Sequence, residues 1–208
     1  HISQLAPGMR ITTSSHIRPG TWILPNSDTL LKTAAIVISG NDIIVDFGGA
    51  TLRGTSPNVD PDMRVGTGII IQGKNITVRN LKIHGYKVAI AALGADGLVL
   101  ENVDASHNWK QHLLSTDEKE DLADWMSYHQ NEKDEWLRFG AAFYLRDTND
   151  FAITKCTARG GQNGLMMTRC DRGNIHQHVY NSRMFIALHP PINHVHFGNT
   201  KIWRSMRT

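Results

Sequence analysis

Asn75-Ile76-Thr77-Val78-Arg79-Asn80-Leu81-Lys82-Ile83 reappears 22 positions later as Gly97-Leu98-Val99-Leu100-Glu101-Asn102-Val103-Asp104-Ala105, and in weaker form as Asp150-Phe151-Ala152-Ile153-Thr154-Lys155-Cys156-Thr157-Ala158. A repeat of about twenty residues carrying two or three short alternating strands is the signature of a β-solenoid, in which each coil buries its apolar face only against its neighbours. Successive side chains of a strand point to opposite faces, so Ile43/Val45, Ile76/Val78, Leu98/Leu100 and Phe151/Ile153 share one interior. A second set precedes each of these: Ile69/Ile71, Ile90/Ala92, Phe143/Leu145 and Leu165/Met167. A third follows a tight corner, with Leu81/Ile83 and Val103/Ala105. Three walls enclose a prism. Asn80 and Asn102 fall at equivalent corners, where stacked side chains can bond to one another as a ladder. Strict alternation with β-branched residues and flanking Gly favours strands over amphipathic helices for these runs.

With Ile17-Arg18-Pro19-Gly20-Thr21-Trp22-Ile23-Leu24 and Ile44-Val45-Asp46-Phe47-Gly48-Gly49-Ala50-Thr51-Leu52 as opening coils, residues 11 to 175 resemble right-handed parallel β-helix proteins of the pectate-lyase-like class. That class includes carbohydrate-binding and sugar-hydrolase domains and periplasmic copper-binding relatives. The resemblance implies an all-β, right-handed parallel β-helix with three short strands per coil, and a secreted or periplasmic location. It is specific for architecture and says little about chemistry, because one solenoid hosts unrelated activities.

The expected organisation is a β-helix domain over 1–175, interrupted by a partly helical insertion at 107–139, and an irregular or truncated tail over 176–208 where the alternation fades. No run approaches the roughly 18 apolar residues of a membrane span, and no signal pattern opens the chain. The chain starts at His1 rather than Met, which reads as a processed chain or a fragment. Cys156 and Cys170 lie at non-equivalent points of successive coils, so no disulfide is implied.

Within the insertion, Ser115 and Glu118 have capping-box spacing, and Leu122, Trp125, Met126 and His129 follow at helical spacing, predicting a short amphipathic helix. Residues 117–135 carry a charge of −6, leaving +9 on the remainder of a chain whose net charge is +3. Basic coils beside an acidic flap favour anionic ligands on the coils. In the class it resembles, an insertion at this point overhangs a sheet and walls a ligand groove, which nominates His107, Trp109, Lys110 and Trp136 as substrate-binding, with His112, Trp125, Tyr128 and Phe139 nearby. Aromatic rings suit sugar faces, although Trp125 and Trp136 serve equally well to pin the flap.

Glycoside hydrolysis needs two carboxylates, and elimination needs a base beside a cation. The outward positions predicted on the first wall, Ile70, Ala91, Tyr144 and Met166, include no acid. Catalytic candidates therefore fall in the stacked turns: Arg146, Asp147 and Asp150 in one coil, Arg169, Asp171 and Arg172 in the next, with surface ion pairing as the competing reading. His176-x-His178 and His194-x-His196, if extended, each put two imidazoles on one face, a spacing compatible with zinc or copper. No cofactor is indicated. Three functions fit: a protein that binds or processes polysaccharide, with an acidic one favoured by the basic coils; a periplasmic metal-handling β-helix; and a structural or adhesive solenoid. The partner expected is a polysaccharide or oligosaccharide, with self-association through an uncapped C-terminal end. Scattered basic residues and the lack of a reading module argue against nucleic acid.

Overall fold

The computed structural model describes residues 4–124, 131, 133–177, 179–182, 184–198 and 201–204. Its strands wind through seven successive coils. The first holds β1 (Met9–Ile11), β2 (Ser15–His16) and β3 (Thr21–Ile23); β4 (Ile36–Arg53) and β5 (Thr67–His84) each run through all three walls of one coil. The fourth coil is β6 (Val88–Leu93) and β7 (Val99–Asp104). The fifth is β8 (Ala141–Arg146), β9 (Ala152–Thr154) and β10 (Thr157–Arg159), and the sixth β11 (Asn163–Asp171), β12 (Asn174–His176) and β13 (Val179–Ser182). The seventh is β14 (Met184–Asn193), β15 (His196–Gly198) and β16 (Lys201–Arg204). Every pairing between coils is parallel.

The register confirms the pattern read from the sequence. Ile43 pairs with Ile76, Val45 with Val78, Val78 with Leu100, and Leu100 with Ile153. All eight second-wall residues of that ladder are buried in one continuous core with Ile69, Ile71, Ile90, Ala92, Phe143, Leu145, Leu165 and Met167 from the first wall. Stacked apolar ladders of this kind leave no coil able to bury its interior alone.

The corner between second and third walls turns on one left-handed residue in the third to sixth coils. Asn80, Asn102, Lys155 and Gln177 occupy it, all with φ between 53° and 56°. Asn102 Nδ2 donates to Asn80 Oδ1 at 2.8 Å, and Asn80 Nδ2 donates to Asp46 Oδ1 at 2.9 Å, so the ladder exists and extends back one coil. Lys155 ends it. Cys156 and Cys170 are free and buried; desolvation pushes their thiols up to about 12 and about 11 respectively.

The repeat does not stop at residue 175. In place of an irregular tail, the backbone of 179–182, 184–198 and 201–204 continues the stack: β11 pairs β14, β12 pairs β15 and β13 pairs β16. The alternation fades in sequence because of a bulge, not because the coil ends. Thr168 pairs with His189 but Cys170 with Ile192, so the strand holding Pro190-Pro191 carries one extra residue against its neighbour. A bulge is where a sheet tolerates residues that lack an N–H.

Leu100 sits fully buried between Val78 and Ile153. Leu100→Ala is expected to cost about 2–5 kcal/mol of stability, the range for deleting a buried leucine side chain, read as a lower midpoint in denaturant melts; a loss near zero would contradict the stacked core.

Candidate functional site

A three-walled coil has three outward faces, and this chain covers one of them. On the first wall the outward residues Ile70, Ala91, Tyr144 and Met166 form a second buried cluster with Leu31 and Ala34 from the loop before β4 and Leu137 from the insertion. Leu137 lies in a 3₁₀ helix, Glu135–Phe139. The end of the insertion is fastened there: Asn163 Nδ2 donates to the carbonyls of Phe139 and Gly140 at 3.1 and 2.8 Å. The Tyr144 hydroxyl donates to Asp134 Oδ1 at 2.6 Å, and Asp134 also pairs with Arg146. Burial, then the hydrogen bond to Asp134, raises the Tyr144 pKa well above the usual phenol value. The described end of the insertion, residues 133–139, thus packs on the first wall.

Its described part contains short 3₁₀ helices at Leu122–Asp124 and Glu135–Phe139. Residues 125–130, on which most of the expected amphipathic helix falls, lie outside the described residues, as Trp125 and Tyr128 therefore do. Leu122, expected on its apolar face, is 81 % exposed. The capping box between Ser115 and Glu118 does not form. Ser115 Oγ accepts from Asp121 N, and buried Asp124 gathers Leu114 N, Ser115 N and Gln111 Nε2 instead. A carboxylate that accepts three N–H bonds organises a loop more tightly than one capping hydroxyl.

The third wall is open. Alternation points Leu52, Ile83, Val103 and Ala158 inward. It leaves Thr51, Lys82, Asp104 and Thr157 in one outward row, registered across four coils, with Arg53 beside His84 in the next row. At the end of this wall a cleft of about 290 Å³ is lined by Thr51, Arg53, Thr55, Pro57, Arg64, His84, Gly85 and His107. Arg64 reaches it from the loop 54–66, between β4 and β5. Only 7 % exposed, it donates through Nη1 to the carbonyls of His107 and Asn108 at 2.6 and 3.0 Å. The His84 and His107 ring centres stand 6.1 Å apart. His84 Nδ1 lies 2.7 Å from the Ser106 carbonyl oxygen. A carbonyl only accepts, so Nδ1 carries the proton, and any lone pair the ring offers is at Nε2.

The predicted binding residues divide. His107 lines this cleft, whereas Lys110 lines a neighbouring groove of about 500 Å³ with Asp60, Asp62 and His112. Trp109 is a pin: its indole Nε1 donates to the Asp62 carbonyl at 2.7 Å, and Lys87 Nζ sits 5.4 Å from its ring centre. The backbone of Trp136 belongs to the 3₁₀ helix Glu135–Phe139, and Phe139 is buried, with the Arg138 guanidinium 4.7 Å from its ring centre. Arg53, Arg64, His84 and Lys82 were not singled out by the sequence reading. Outward third-wall positions follow from the same alternation, so Arg53, Lys82 and His84 were readable from it; Arg64 arrives by a loop and was not.

The turn residues form an ion-pair ladder between coils. Arg169 Nε and Nη2 meet both oxygens of Asp147 at 2.5 and 2.8 Å, and Arg172 does the same with Asp150 at 2.7 and 2.9 Å while also pairing with Asp171. Arg146 lies 3.7 Å from Asp147. This is the ion-pairing alternative realised. The His194-x-His196 pair does not form as spaced. His194 sits at a corner with φ 51°, not in an extended strand, so its Nδ1 lies 3.2 Å from Asp171, while His196 faces His176 across coils at 5.5 Å between ring centres. His178 lies outside the described residues. Among the described residues no three His, Cys, Asp or Glu side chains converge to hold a metal.

Comparison with known proteins places this geometry. A family profile described as a right handed beta helix region matches residues 31–202. The chain belongs to the right-handed β-helix family. The match reaches into the seventh coil, beyond the end expected from the sequence. No curated protein sequence matches the chain. Among solved structures, a "putative glycosyl hydrolase" from Parabacteroides merdae is similar over 91 % of this chain and 83 % of its own, at a TM-score of 0.57 and 11 % identity. The A-module of the Azotobacter vinelandii mannuronan C-5 epimerase AlgE6 aligns over 96 % of this chain and 50 % of its own, at a TM-score of 0.48 and 14 % identity. The catalytic domain of a GH87 α-1,3-glucanase, solved with nigerose, aligns over 95 % of this chain and 39 % of its own, at a TM-score of 0.46 and 9 % identity. At these identities the shared property is the β-helix fold.

Two outcomes follow for the flap and the ladder. Removing the Asp134 carboxylate in Asp134→Ala frees Tyr144 and Arg146 together, and is expected to speed limited proteolysis within 133–139 at least severalfold with little change in the melting midpoint of the coils; unchanged cleavage would mean that Leu137 burial and the Asn163 bonds hold the flap without Asp134. The hydrogen bond from Arg169 keeps the Asp147 carboxyl below the usual carboxylate range. A folded pKa below the unfolded value of about 3.9 means that this pair stabilises the fold above that pH, and that the contribution disappears as pH falls through the depressed value. Asp147→Asn should therefore lower stability at pH 7 and bring its denaturant midpoint close to that of the parent chain in melts at pH 2.

Proposed function

We propose that this β-helix protein binds polysaccharide across the outward face of its third wall, between the loop 54–66 and the first residues of the insertion, and acts on it outside the cytoplasm. One observation carries the reading: the third wall is an open, polar, registered face ending in a cleft, while the corresponding face of the first wall is packed shut. A flat sheet whose outward rows alternate Thr, Lys and Asp at strand spacing of about 4.8 Å offers hydrogen bonds at regular intervals, which suits a ligand that itself repeats. The fold is shared with a structure named a putative glycosyl hydrolase, and this supports the polysaccharide class.

For turnover, His84, whose Nδ1 is held by the Ser106 carbonyl, would act as a base through Nε2 when unprotonated, and Arg64 and Arg53 line the same cleft and supply positive charge. A base next to cations is the arrangement that removes a proton from a carbon activated by a neighbouring carboxyl group. The Arg–Asp turns do not contribute, since they lie between the first and second walls and Asp147 and Asp150 are each gripped by an arginine there.

Calorimetry of the purified chain against a set of neutral and uronate-containing polysaccharides tests this, with reducing ends and the ultraviolet absorbance of unsaturated products followed in parallel. Binding to at least one polysaccharide is expected, weakened about fivefold in Lys82→Ala, the scale of one lost hydrogen bond. Absence of binding to every polysaccharide, or binding indifferent to Lys82→Ala and to His84→Gln, would refute the third-wall site.

A further inference from the structure

The cleft at the end of the third wall has an unusual balance of charge. Two arginines and two histidines line it, and its other four lining residues are Thr51, Thr55, Pro57 and Gly85; none of the eight is an acid. The flanking acids point elsewhere. Asp104 lies in the next outward row, its Oδ1 accepting from Ser106 N, and Asp60 and Asp62 line the separate groove on the other side of Pro61.

Arg64 is the informative residue. It is nine-tenths buried, and its Nη1 is spent on two backbone carbonyls, yet its Nε is buried with no hydrogen-bond partner. Desolvation pulls its pKa below the usual guanidinium value, which marks a cation that has lost water without gaining a counter-charge. Burying such a group uncompensated is costly, and proteins pair it or use it. Arg53 has the same lack: no carboxylate among the described residues pairs with it, in a protein whose turn arginines Arg146, Arg169 and Arg172 are all ion-paired. Both arginines line the cleft from different elements, Arg53 from β4 and Arg64 from the loop after it.

We propose that this cleft is an oxyanion site, which takes a carboxylate or sulfate group carried by a glycan, with Arg53 and Arg64 as its cationic donors and His84 and His107 as its flanking polar edges. The proposal rests on the glycan reading of the third wall and adds to it the chemical class of the ligand and the place where its charge is read. A planar fork that matches a two-oxygen anion is the reason for arginine, not lysine, at both positions.

The test is titration calorimetry with three soluble oligosaccharides, oligogalacturonate, its fully methyl-esterified form and a sulfated galactan, together with inorganic sulfate. Esterification removes the charge and keeps the chain. The expected result is that at least one charged oligosaccharide binds, that the ester binds at least about tenfold more weakly than its acid, as loss of a charge-assisted contact implies, and that the difference shrinks as salt is raised. Comparison of the uronate and sulfated arms identifies which oxyanion the cleft takes. Because Arg64 also holds two carbonyls, Arg64→Lys is read only after its melting midpoint is checked. Arg53→Gln, on a half-exposed side chain, should melt like the parent chain and still lose the preference for charge about tenfold. Equal binding of acid and ester by the parent chain, or an unchanged preference in Arg53→Gln, overturns the oxyanion site while leaving the glycan reading intact. Binding of inorganic sulfate that Arg53→Gln abolishes, with no oligosaccharide bound, would sustain the anion site and overturn the glycan reading.

Discussion

The fold depends on a backbone constraint repeated from the second coil onward: residues in the left-handed region where the chain turns between walls. Between the first and second walls these residues are Asp42, Asn75, Gly97, Asp150, Arg172 and His194, and between the second and third they are Gly48, Asn80, Asn102, Lys155 and Gln177. For an L-residue that conformation costs roughly 1–2 kcal/mol, least for Gly, Asn and Asp, which lack bulk or bond locally. The chain meets the cost by placing such residues first and by cross-coil bonds, as from Asn75 Nδ2 to Asp42 Oδ1 at 2.8 Å. Sharp corners absorb differences of length between coils and keep the walls in register, and register is what stacks Ile43 on Ile76 and Val78 on Leu100.

The same stacking dictates what the turns carry. Equivalent residues in neighbouring coils lie about one strand spacing apart, close to 4.8 Å, so like charges at equivalent turns would repel. The sequence answers with alternation. Asp147 lies under Arg169 and Asp150 under Arg172, each 22 residues away in the next coil. Read along the chain these residues are a mixed charge cluster that invites a catalytic interpretation; stacked, they are a set of cross-coil pairs. A solenoid converts sequence distance of one coil into contact, and a cluster of acids and bases spaced by one repeat is structural before it is chemical.

The limits of what was legible follow from the same geometry. Inward ladders, three walls and the Asn80–Asn102 corner depend on local alternation, which a sequence displays directly. Arg64 does not: it sits in a loop with no period, and its role comes from contact with the carbonyls of His107 and Asn108, 43 and 44 residues away. The insertion misled for a related reason. Its Ser115–Glu118 spacing is a local signal, but Asp124 supplies a stronger local acceptor set, and Leu137 and Asp134 are placed by the outward face of the first wall, Asp134 by Tyr144 ten residues on. In the sixth and seventh coils, the Pro190-Pro191 bulge hid a continuing period by shifting it by one residue.

Covering one face of a solenoid determines the use of the others. Tyr144, Met166, Ile70 and Ala91 point out of the first wall and would be an apolar strip four coils long if left bare, a surface that associates. The loop with Leu31 and Ala34 and the insertion with Leu137 bury that strip, and Asp134 ties the cover to Tyr144 and Arg146. Because the cover occupies the first wall, a ligand cannot. The third wall, by contrast, spends its outward positions on Thr51, Lys82, Asp104 and Thr157, which need no cover. The loop 54–66 borders that wall without closing it, pinned by Trp109 to Asp62 and by Arg64 to the insertion's first residues. An apolar face that demands burial and a polar face that does not thus divide the surface into a stabilising side and a side free to bind.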